Sequence, residues 1–147
     1  MSVTIIFETH STTTDNEAKL AAGWYDVPLS KLGEQQAKEL GERRINDHFD
    51  AIFCSDLQRS YTTAKLAFGD KFPIIQDRRL RECNYGLLNR TAKADIEAMR
   101  EKALTEPFPD GESYEDTSKR MKEFLDDLLK DYNGKTVLIS ISDREDV

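Results

Sequence analysis

Short apolar runs alternate along this chain with longer segments of helical pattern, and this alternation constrains the fold more than any other feature. The runs at 3–8 (VTIIFE), 51–55 (AIFCS) and 136–141 (TVLISI) are rich in β-branched residues and have the length of buried strands. The run at 72–76 predicts a fourth strand, and Pro73, which cannot donate a ladder hydrogen bond, places it near a sheet edge.

The segments between these runs carry apolar side chains at the 3- and 4-residue steps of a helix. They cover residues 31–45, 57–68, 92–103 and 114–132. The last is the clearest, because Met121, Phe124 and Leu128 share one face and an Asn-Gly pair follows as a helix stop. Strands that alternate with helices indicate an α/β fold with a mostly parallel sheet. We expect the strongly apolar run at 136–141 to be central and buried on both faces.

Length, charge and cysteine content exclude several classes of protein. At about 100–200 residues per domain, the 147 residues predict a single domain, 1–147, with loops at 11–29 and 78–89. The net charge of -7 repels phosphate backbones and argues against nucleic acid, and no apolar run reaches the roughly 18 residues that span a bilayer. The start lacks the pattern of a secretory signal. Cys54 and Cys83 are expected to stay reduced, which favours a cytoplasmic location.

Three residues that follow predicted strands are candidates for a site, because ligands of open α/β sheets bind at the carboxyl ends of strands. His10 follows the first strand, and an imidazole can attack phosphorus, although a loop histidine with only a hydrogen-bonding role is the commoner case. Arg59 lies in a first helical turn, where a bound anion or a salt bridge would offset the unfavourable dipole. Glu82, among three arginines, is either a general acid or part of a surface ion-pair cluster.

Five blocks of sequence carry a more specific pattern because they occur in a fixed order. They are ETHSTTTDN at 8–16, GWYDVPLSKLG at 23–33, CSDLQRSYTTA at 54–64, RLRECNYG at 79–86 and PDGESYEDTSKR at 109–120. Together they resemble the histidine phosphatase superfamily, to which phosphoglycerate mutases and fructose-2,6-bisphosphatase-type phosphatases belong. The resemblance spans residues 3–141 and implies a phosphoglycerate mutase-like fold, which is a three-layer α/β/α sandwich around a mostly parallel central sheet.

The resemblance also implies roles for individual residues. His10 matches the histidine that accepts the phosphoryl group, Arg59 an arginine that clamps phosphate, and Glu82 the proton donor. The substrate-binding positions of the family are matched by Thr9, Asn16, Gly23, Tyr85 and Lys93. No metal or other cofactor is implied, since the sequence has no HExxH, paired-cysteine or GxxxxGK motif.

The sequence departs from the family's pattern in three respects. Thr9-His10-Ser11 replaces Arg-His-Gly, and a threonine hydroxyl is a poor substitute for a planar cation at phosphate. The family's second histidine aligns with Ser142, and the other histidine of the chain, His48, precedes the second strand. The family continues with a further helix and strand. We therefore expect these C-terminal elements to be missing, in a truncated or divergent product or in a natural pseudoenzyme.

The missing elements predict uncovered apolar surface. In the family a helix after the last strand covers one face of it. Here we expect either a partner chain, as in a homodimer, or an exposed apolar patch beside residues 136–141 to take the place of that helix.

The first functional hypothesis is a metal-independent phosphomonoesterase that acts on a small phosphorylated metabolite through a phosphohistidine at His10, with a rate lowered by the departures above. Attack needs neutral His10 and leaving-group protonation needs protonated Glu82. Free His and Glu have pKa values of about 6.5 and 4.3, so an acidic optimum is expected. The alternatives are an inactive relative that serves as an anion-binding or protein-interaction module, a phosphoglycerate mutase-type phosphotransferase, and a structural protein without a site.

Overall fold

The computed structural model describes residues 1–141 and folds them around a four-stranded sheet. The strands are β1 (Thr4–Thr9), β2 (Leu20–Ala21), β3 (Ala51–Cys54), β4 (Ile74–Gln76), β5 (Thr91–Ala92) and β6 (Thr136–Ile141). The helices are α1 (Thr14–Glu17), α2 (Lys31–Arg43), α3 (Gln58–Phe68), α4 (Lys93–Ala98), α5 (Arg100–Ala103) and α6 (Tyr114–Asp131). Within this range, none of the helices has the length and hydropathy needed to cross a membrane.

The main sheet is parallel throughout its described strands, in the order β1-β6-β3-β4. β6 pairs with β1 from Thr4 opposite Thr136 to Thr9 opposite Ile141, and with β3 on its other side. Residues of β6 from Val137 onward are buried. The predicted central position of this strand and the predicted parallel sheet are therefore confirmed. The short strands β2 and β5 form a separate antiparallel pair.

Helices cover both faces of the sheet. On one face, Phe124 of α6 packs against Phe53 of β3 in an edge-to-face arrangement with ring centroids 5.3 Å apart. On the other face, Leu40 of α2 and Phe68 of α3 share a core with Leu138 of β6. The three-layer α/β/α sandwich implied by the resemblance is confirmed.

Side-chain caps start the two longest helices at the residues that the sequence indicates. The Ser30 hydroxyl accepts a hydrogen bond from the Gly33 N–H at 3.1 Å at the start of α2. At the start of α6, Ser113 and Asp116 form a reciprocal capping box, with distances of 3.0 and 3.1 Å. These bonds satisfy N–H groups that a first helical turn leaves without intrahelical partners, and they set where the flanking layers begin.

Several local predictions differ from the structure. The helix predicted at 92–103 is two helices, α4 and α5, which meet at Met99 with φ −92° and ψ −4°. The loop predicted at 11–29 contains α1 and β2, and the loop predicted at 78–89 contains two 3-10 turns, Arg78–Leu80 and Gly86–Leu88. Elements of two to four residues are too short to show a hydrophobic period, which explains why the sequence pattern did not reveal them.

The strand β1 was predicted to be buried, and this is wrong, since each of its residues is at least partly exposed. Within residues 1–141 it lies at the sheet edge, and Phe7 is 37% exposed. Within residues 1–141, α6 on one face and the α2–α3 layer on the other bury β6, and the partner chain or apolar patch predicted beside it stays a prediction.

Candidate active site

A cavity of about 170 Å³ lies beside the residues that follow β1, β3 and β4. These strands run parallel, so their carboxyl ends lie at the same edge of the sheet. The cavity is lined by His10, Thr13, Asn16, Leu20, Ala21, Ala22, Arg59, Glu82, Tyr85, Lys93, Ile96, Glu97, Arg100 and Tyr114. The structure thus brings together all three residues that the sequence analysis singled out as catalytic, His10, Arg59 and Glu82.

His10 directly follows β1, and its backbone extends the pairing of that strand. The His10 N–H donates to the Ile141 carbonyl at 2.8 Å, so the residue is tied to the end of β6. The imidazole Nδ1 lies 2.6 Å from the Ser11 carbonyl oxygen. A carbonyl oxygen can only accept, so Nδ1 carries the proton and the lone pair of the neutral ring is on Nε2. Nε2 is therefore the nitrogen that this arrangement prepares for nucleophilic attack.

The loop after His10 is held between α2 and α3. The Ser11 N–H donates to the Thr63 hydroxyl at 3.0 Å, and that hydroxyl donates to the Arg59 carbonyl at 2.7 Å. On the other side, the Thr12 N–H donates to the Gln36 amide oxygen at 2.9 Å. Because Thr63 is fully buried, it links the histidine loop rigidly to the helix that carries Arg59.

Arg59 is the most deeply buried charged group of the cavity, with its side chain only 2% exposed. Its guanidinium donates to the Tyr25 carbonyl at 3.0 Å, to the Gly23 carbonyl at 2.5 Å and to the Glu82 carboxylate at 3.1 Å. A buried charge is tolerated only when it is paired and hydrogen-bonded, and these contacts meet that requirement. They also fix the plane of the guanidinium within the cavity.

Glu82 is the anionic partner of this arginine. One carboxylate oxygen accepts from Arg59, and the other accepts from the Tyr85 hydroxyl at 2.9 Å. Tyr85 lies buried with its ring edge-to-face against Phe108, so its hydroxyl is held in place. The sequence left open whether Arg59 and Glu82 belong to a site or to an ion pair. In the structure they form an ion pair with each other, and both line the cavity.

Two of the arginines around Glu82 belong to ion pairs outside the cavity, as the alternative interpretation of this cluster expects. Arg81 donates twice to the Asp56 carboxylate, at 2.6 and 2.7 Å, and these hydrogen bonds lower the pKa of Asp56. Arg79 pairs with Asp77 and Asp127. Neither guanidinium lines the cavity, so they do not contribute to an anion site there.

Asn16 and Lys93 lie where the resemblance predicts substrate contacts. The Asn16 amide oxygen accepts from the Thr13 N–H at 3.0 Å and from the Thr13 hydroxyl at 2.9 Å, which turns this side chain back toward the N-cap of α1, the short helix to which Asn16 belongs. Lys93 is the first residue of α4, and its side chain is 65% exposed, 4.0 Å from Glu97. Both residues line the cavity, as Tyr85 does.

Thr9 and Gly23 are not among the residues that line the cavity, and their predicted contacts with substrate stay predictions. Thr9 is exposed at the end of β1 and lines a neighbouring groove, which also contacts His10, Glu8 and Arg43. Gly23 adopts a left-handed φ of +60°, and its carbonyl accepts from Arg59, so it holds the arginine instead of facing the cavity.

One wall of the cavity is formed by residues that, apart from Lys93, were not predicted from the sequence. Lys93, Ile96, Glu97 and Arg100 line it together, at the 3- and 4-residue spacing of one helical face. That spacing was visible in the sequence and could have identified the wall once Lys93 was chosen. Tyr114, at the start of α6, completes it, and the Arg100 guanidinium lies 5.1 Å from the centre of the Tyr114 ring.

Neither cysteine takes part in the cavity. Both are buried, and burial raises the pKa of Cys54 to about 12, which makes a thiolate nucleophile unavailable there. In the part of the chain that the structure describes, no group of three or more His, Cys, Asp or Glu residues could hold a metal ion.

Comparison with known proteins agrees with this architecture. The model of the histidine phosphatase superfamily (branch 1) matches residues 5–142. A 2,3-bisphosphoglycerate-dependent phosphoglycerate mutase from Cytophaga hutchinsonii is 34% identical over 92% of this chain and 70% of its own. The fructose-2,6-bisphosphatase TIGAR from Xenopus tropicalis is 34% identical over 82% of this chain and 48% of its own. The solved structure of Bacillus stearothermophilus YhfR superimposes with a TM-score of 0.83 and 30% identity, over 95% of this chain and 74% of that one.

The fold and the match over almost the whole described chain define a phosphoglycerate mutase-like α/β protein. The chain belongs to the histidine phosphatase superfamily, and the family model that it matches is that of branch 1.

Proposed function

We propose that this chain is a metal-independent phosphomonoesterase in which His10 accepts the phosphoryl group of a small phosphorylated metabolite. The observation that carries the proposal is the placement of His10, Arg59 and Glu82 around one cavity, with Arg59 and Glu82 in contact at 3.1 Å. The volume of about 170 Å³ is below the roughly 300–1,000 Å³ of drug-sized ligand sites, which favours a small substrate.

In the first step, the lone pair on His10 Nε2 attacks phosphorus. The N–P bond forms, the ester P–O bond breaks, and the departing oxygen takes the proton from the Glu82 carboxyl group. Arg59 donates hydrogen bonds to the phosphoryl oxygens and offsets their charge in the transition state. The product of this step is an alcohol and a phosphohistidine, with Glu82 ionised.

In the second step, water replaces the histidine. Glu82 takes a proton from the attacking water, the new O–P bond forms, and the N–P electron pair returns to His10 Nε2. Glu82 passes this proton to the departing phosphate and re-forms the ion pair with Arg59, and the imidazole is neutral, so the resting state is restored.

The first step needs a protonated Glu82, but in the structure this residue is paired with Arg59. Arg59 and Tyr85 both donate to Glu82, and these contacts suit a carboxylate. A phosphoryl group bound to Arg59 replaces Glu82 as the partner of the guanidinium. Because phosphate monoesters have a second pKa of about 6, a substrate bound as its monoanion brings the required proton with it. This supports the acidic optimum expected from the sequence.

The proposed rate is below that of a relative with the full set of phosphate ligands. Thr9 stands in place of the family's arginine, and its hydroxyl lacks the planar set of charged donors that a guanidinium offers to phosphate. Removal of one donor to a transition-state oxyanion typically costs roughly 10²–10³ in rate. The other histidine of the chain, His48, is 79% exposed and packs against Phe72, and position 142, which aligns with the family's second histidine, lies outside the described residues.

Phosphate binding without turnover is the second candidate function. It is favoured by Thr9, which stands in place of the family's arginine. A mutase reaction is the third, since a mutase is among the relatives and Lys93 and Arg100 add two cations to the cavity. All three functions share the anion site at Arg59, so inhibition or binding by inorganic phosphate does not separate them.

Hydrolysis of p-nitrophenyl phosphate and of 3-phosphoglycerate in the presence of excess EDTA tests the proposal. We expect slow release of inorganic phosphate from both substrates, with a maximum below pH 7 and no loss on addition of the chelator. Conversion of 3-phosphoglycerate to its 2-isomer, without release of phosphate, would replace the phosphatase by the mutase. Binding of phosphate without any turnover would replace it by the binding module.

A further inference from the structure

Arg120, on the second turn of α6, holds the backbone of the loop that carries Glu82. Its side chain is 16% exposed, and it does not line the cavity. The guanidinium donates to three carbonyls of the loop, those of Arg79 at 2.7 Å, Arg81 at 2.6 Å and Glu82 at 2.8 Å. A single side chain thus fixes the course of the main chain up to the residue that we propose as the proton donor.

The guanidinium is itself anchored from the opposite side. Arg120 Nε and Nη2 donate to the two carboxylate oxygens of Glu112, at 2.9 and 3.0 Å. Glu112 in turn accepts from the Asn84 N–H at 2.9 Å, and its own N–H donates to the Asn84 carbonyl at 2.8 Å. A planar, bidentate pair of this kind orients the guanidinium more strictly than a point charge would.

Trp24, the single tryptophan of the chain, holds the same carbonyl. Its indole N–H donates to the Glu82 carbonyl at 2.7 Å, and the Arg120 guanidinium lies 5.9 Å from the centre of its ring. The backbone oxygen of Glu82 therefore accepts from two side chains of distant origin, one before α2 and one on α6.

Arg120 and Trp24 bind the backbone carbonyl of Glu82, whereas other residues bind its carboxylate. The carboxylate contacts Arg59 and Tyr85, and a bound substrate displaces at least the first of these in the proposed reaction. Once that contact is lost, the position of the carboxyl group depends on the backbone from which it extends. A proton donor must lie within about 2.6–3.2 Å of the atom that it protonates, so a shift of 1 Å in the loop is enough to disable it.

Resting on the proposed function, we propose that Arg120 is a positioning residue for the proton donor Glu82. It touches no reacting atom. It acts by holding the Glu82 main chain so that the carboxyl group reaches the leaving oxygen.

Leaving groups of different basicity distinguish this role from a general structural one. p-Nitrophenolate departs with little need for a proton, whereas the alkoxide of glycerol 2-phosphate needs one in the transition state. Loss of a general acid therefore slows the alkyl ester more than the aryl ester, and a contribution of roughly 10²–10⁴ is typical for such a group. A variant with a merely weakened fold loses activity on both esters in the same proportion.

The experiment compares kcat/KM for the two esters in Arg120→Met, Arg120→Lys and Arg79→Met. Arg79 lies on the same loop, but its guanidinium pairs with Asp77 and Asp127 outside the cavity, so it is the matched control. For Arg120→Met we expect the alkyl-to-aryl ratio of kcat/KM to fall about 10- to 100-fold, with partial recovery in Arg120→Lys and no change of the ratio in Arg79→Met. In a Glu82→Gln background, Arg120→Met should leave the ratio unchanged, because the two changes act on one step.

An equal loss on both esters, or a further fall of the ratio in the Glu82→Gln background, would overturn the proposal. If Arg120→Met does not fold, Trp24→Phe removes the other donor to the same carbonyl and should lower the ratio in the same direction. If the wild-type chain hydrolyses neither ester, the proposed function has failed. The positioning claim is then decided by crystal structures: the contact of 3.1 Å between Arg59 and Glu82 should lengthen in Arg120→Lys and persist in Arg79→Met, and its persistence in both would refute the claim.

Discussion

Replacement of His10 by alanine is expected to lower kcat/KM for p-nitrophenyl phosphate by about 10³-fold or more. The variant has no nitrogen to attack phosphorus, while Arg59 and Glu82 stay in place to bind the phosphoryl group. Its affinity for inorganic phosphate should therefore change much less than its rate. Steady-state hydrolysis, with phosphate as a competitive inhibitor, measures both quantities in one assay.

His48→Ala is the matched control for this variant, since His48 is the other histidine of the chain and its side chain is 79% exposed. It lies before β3, at the amino end of the strand, and should leave the rate unchanged. Equal hydrolysis by the wild type and by His10→Ala would show that the activity does not depend on a phosphohistidine at this position.

Replacement of Arg59 by lysine is expected to lower kcat/KM by roughly 10²–10³-fold. The guanidinium reaches the Gly23 carbonyl, the Tyr25 carbonyl and the Glu82 carboxylate at the same time. An ammonium keeps the positive charge but not the planar set of donors, so the phosphoryl oxygens lose hydrogen bonds that strengthen in the transition state. Measurement of kcat and KM for the variant, together with the inhibition constant of phosphate, gives the size of each effect.

A matched control uses Arg44, which forms a comparable pair with Glu8 at 2.7 Å outside the cavity. Arg44→Lys changes the same chemical group and should leave both kinetic constants close to those of the wild type. An Arg59→Lys protein that hydrolyses the ester at the wild-type rate would exclude the proposed phosphate clamp.

The layers of the fold could be predicted from the sequence because long periodic segments determine them. Phe124 and Leu128 lie on one face of α6, and β6 has the apolar composition of a central strand. The break at Met99 could not be predicted, since residues on both sides of it continue the helical spacing that lines the cavity. The edge position of β1 was missed for a different reason: its residues are as apolar as those of a buried strand, and strand order is a property of the whole sheet.

The candidate site could be predicted in part, where a chemically distinctive residue follows a strand. His10, Arg59 and Glu82 fulfil that condition, and their convergence follows from parallel strands. Thr9 was assigned to the site because it aligns with the family's arginine; it lines a groove that it shares with His10, and its contact with substrate stays a prediction. Arg120 looks like any solvated arginine on a polar helix face, and its contacts with three carbonyls depend on how α6 docks against a loop that is about 40 residues away in sequence.

Arg59 and Glu82, the two charged groups that the proposed reaction needs, contact each other in the cavity. In the structure Arg59 is neutralised by Glu82, which is the proton donor of the proposed reaction. In that reaction, substrate binding exchanges one anion for another at Arg59, which avoids leaving a buried charge without a partner.

Trapping of the covalent intermediate tests the central claim most directly. The wild-type chain is mixed with a radiolabelled phosphomonoester, quenched in alkali within the first turnover, and digested for mass spectrometry. We predict an alkali-stable, acid-labile phosphoryl group on His10, present in His48→Ala and absent from His10→Ala. Hydrolysis of the ester by a wild-type chain that carries no label on His10, or carries it on another residue, would contradict the account.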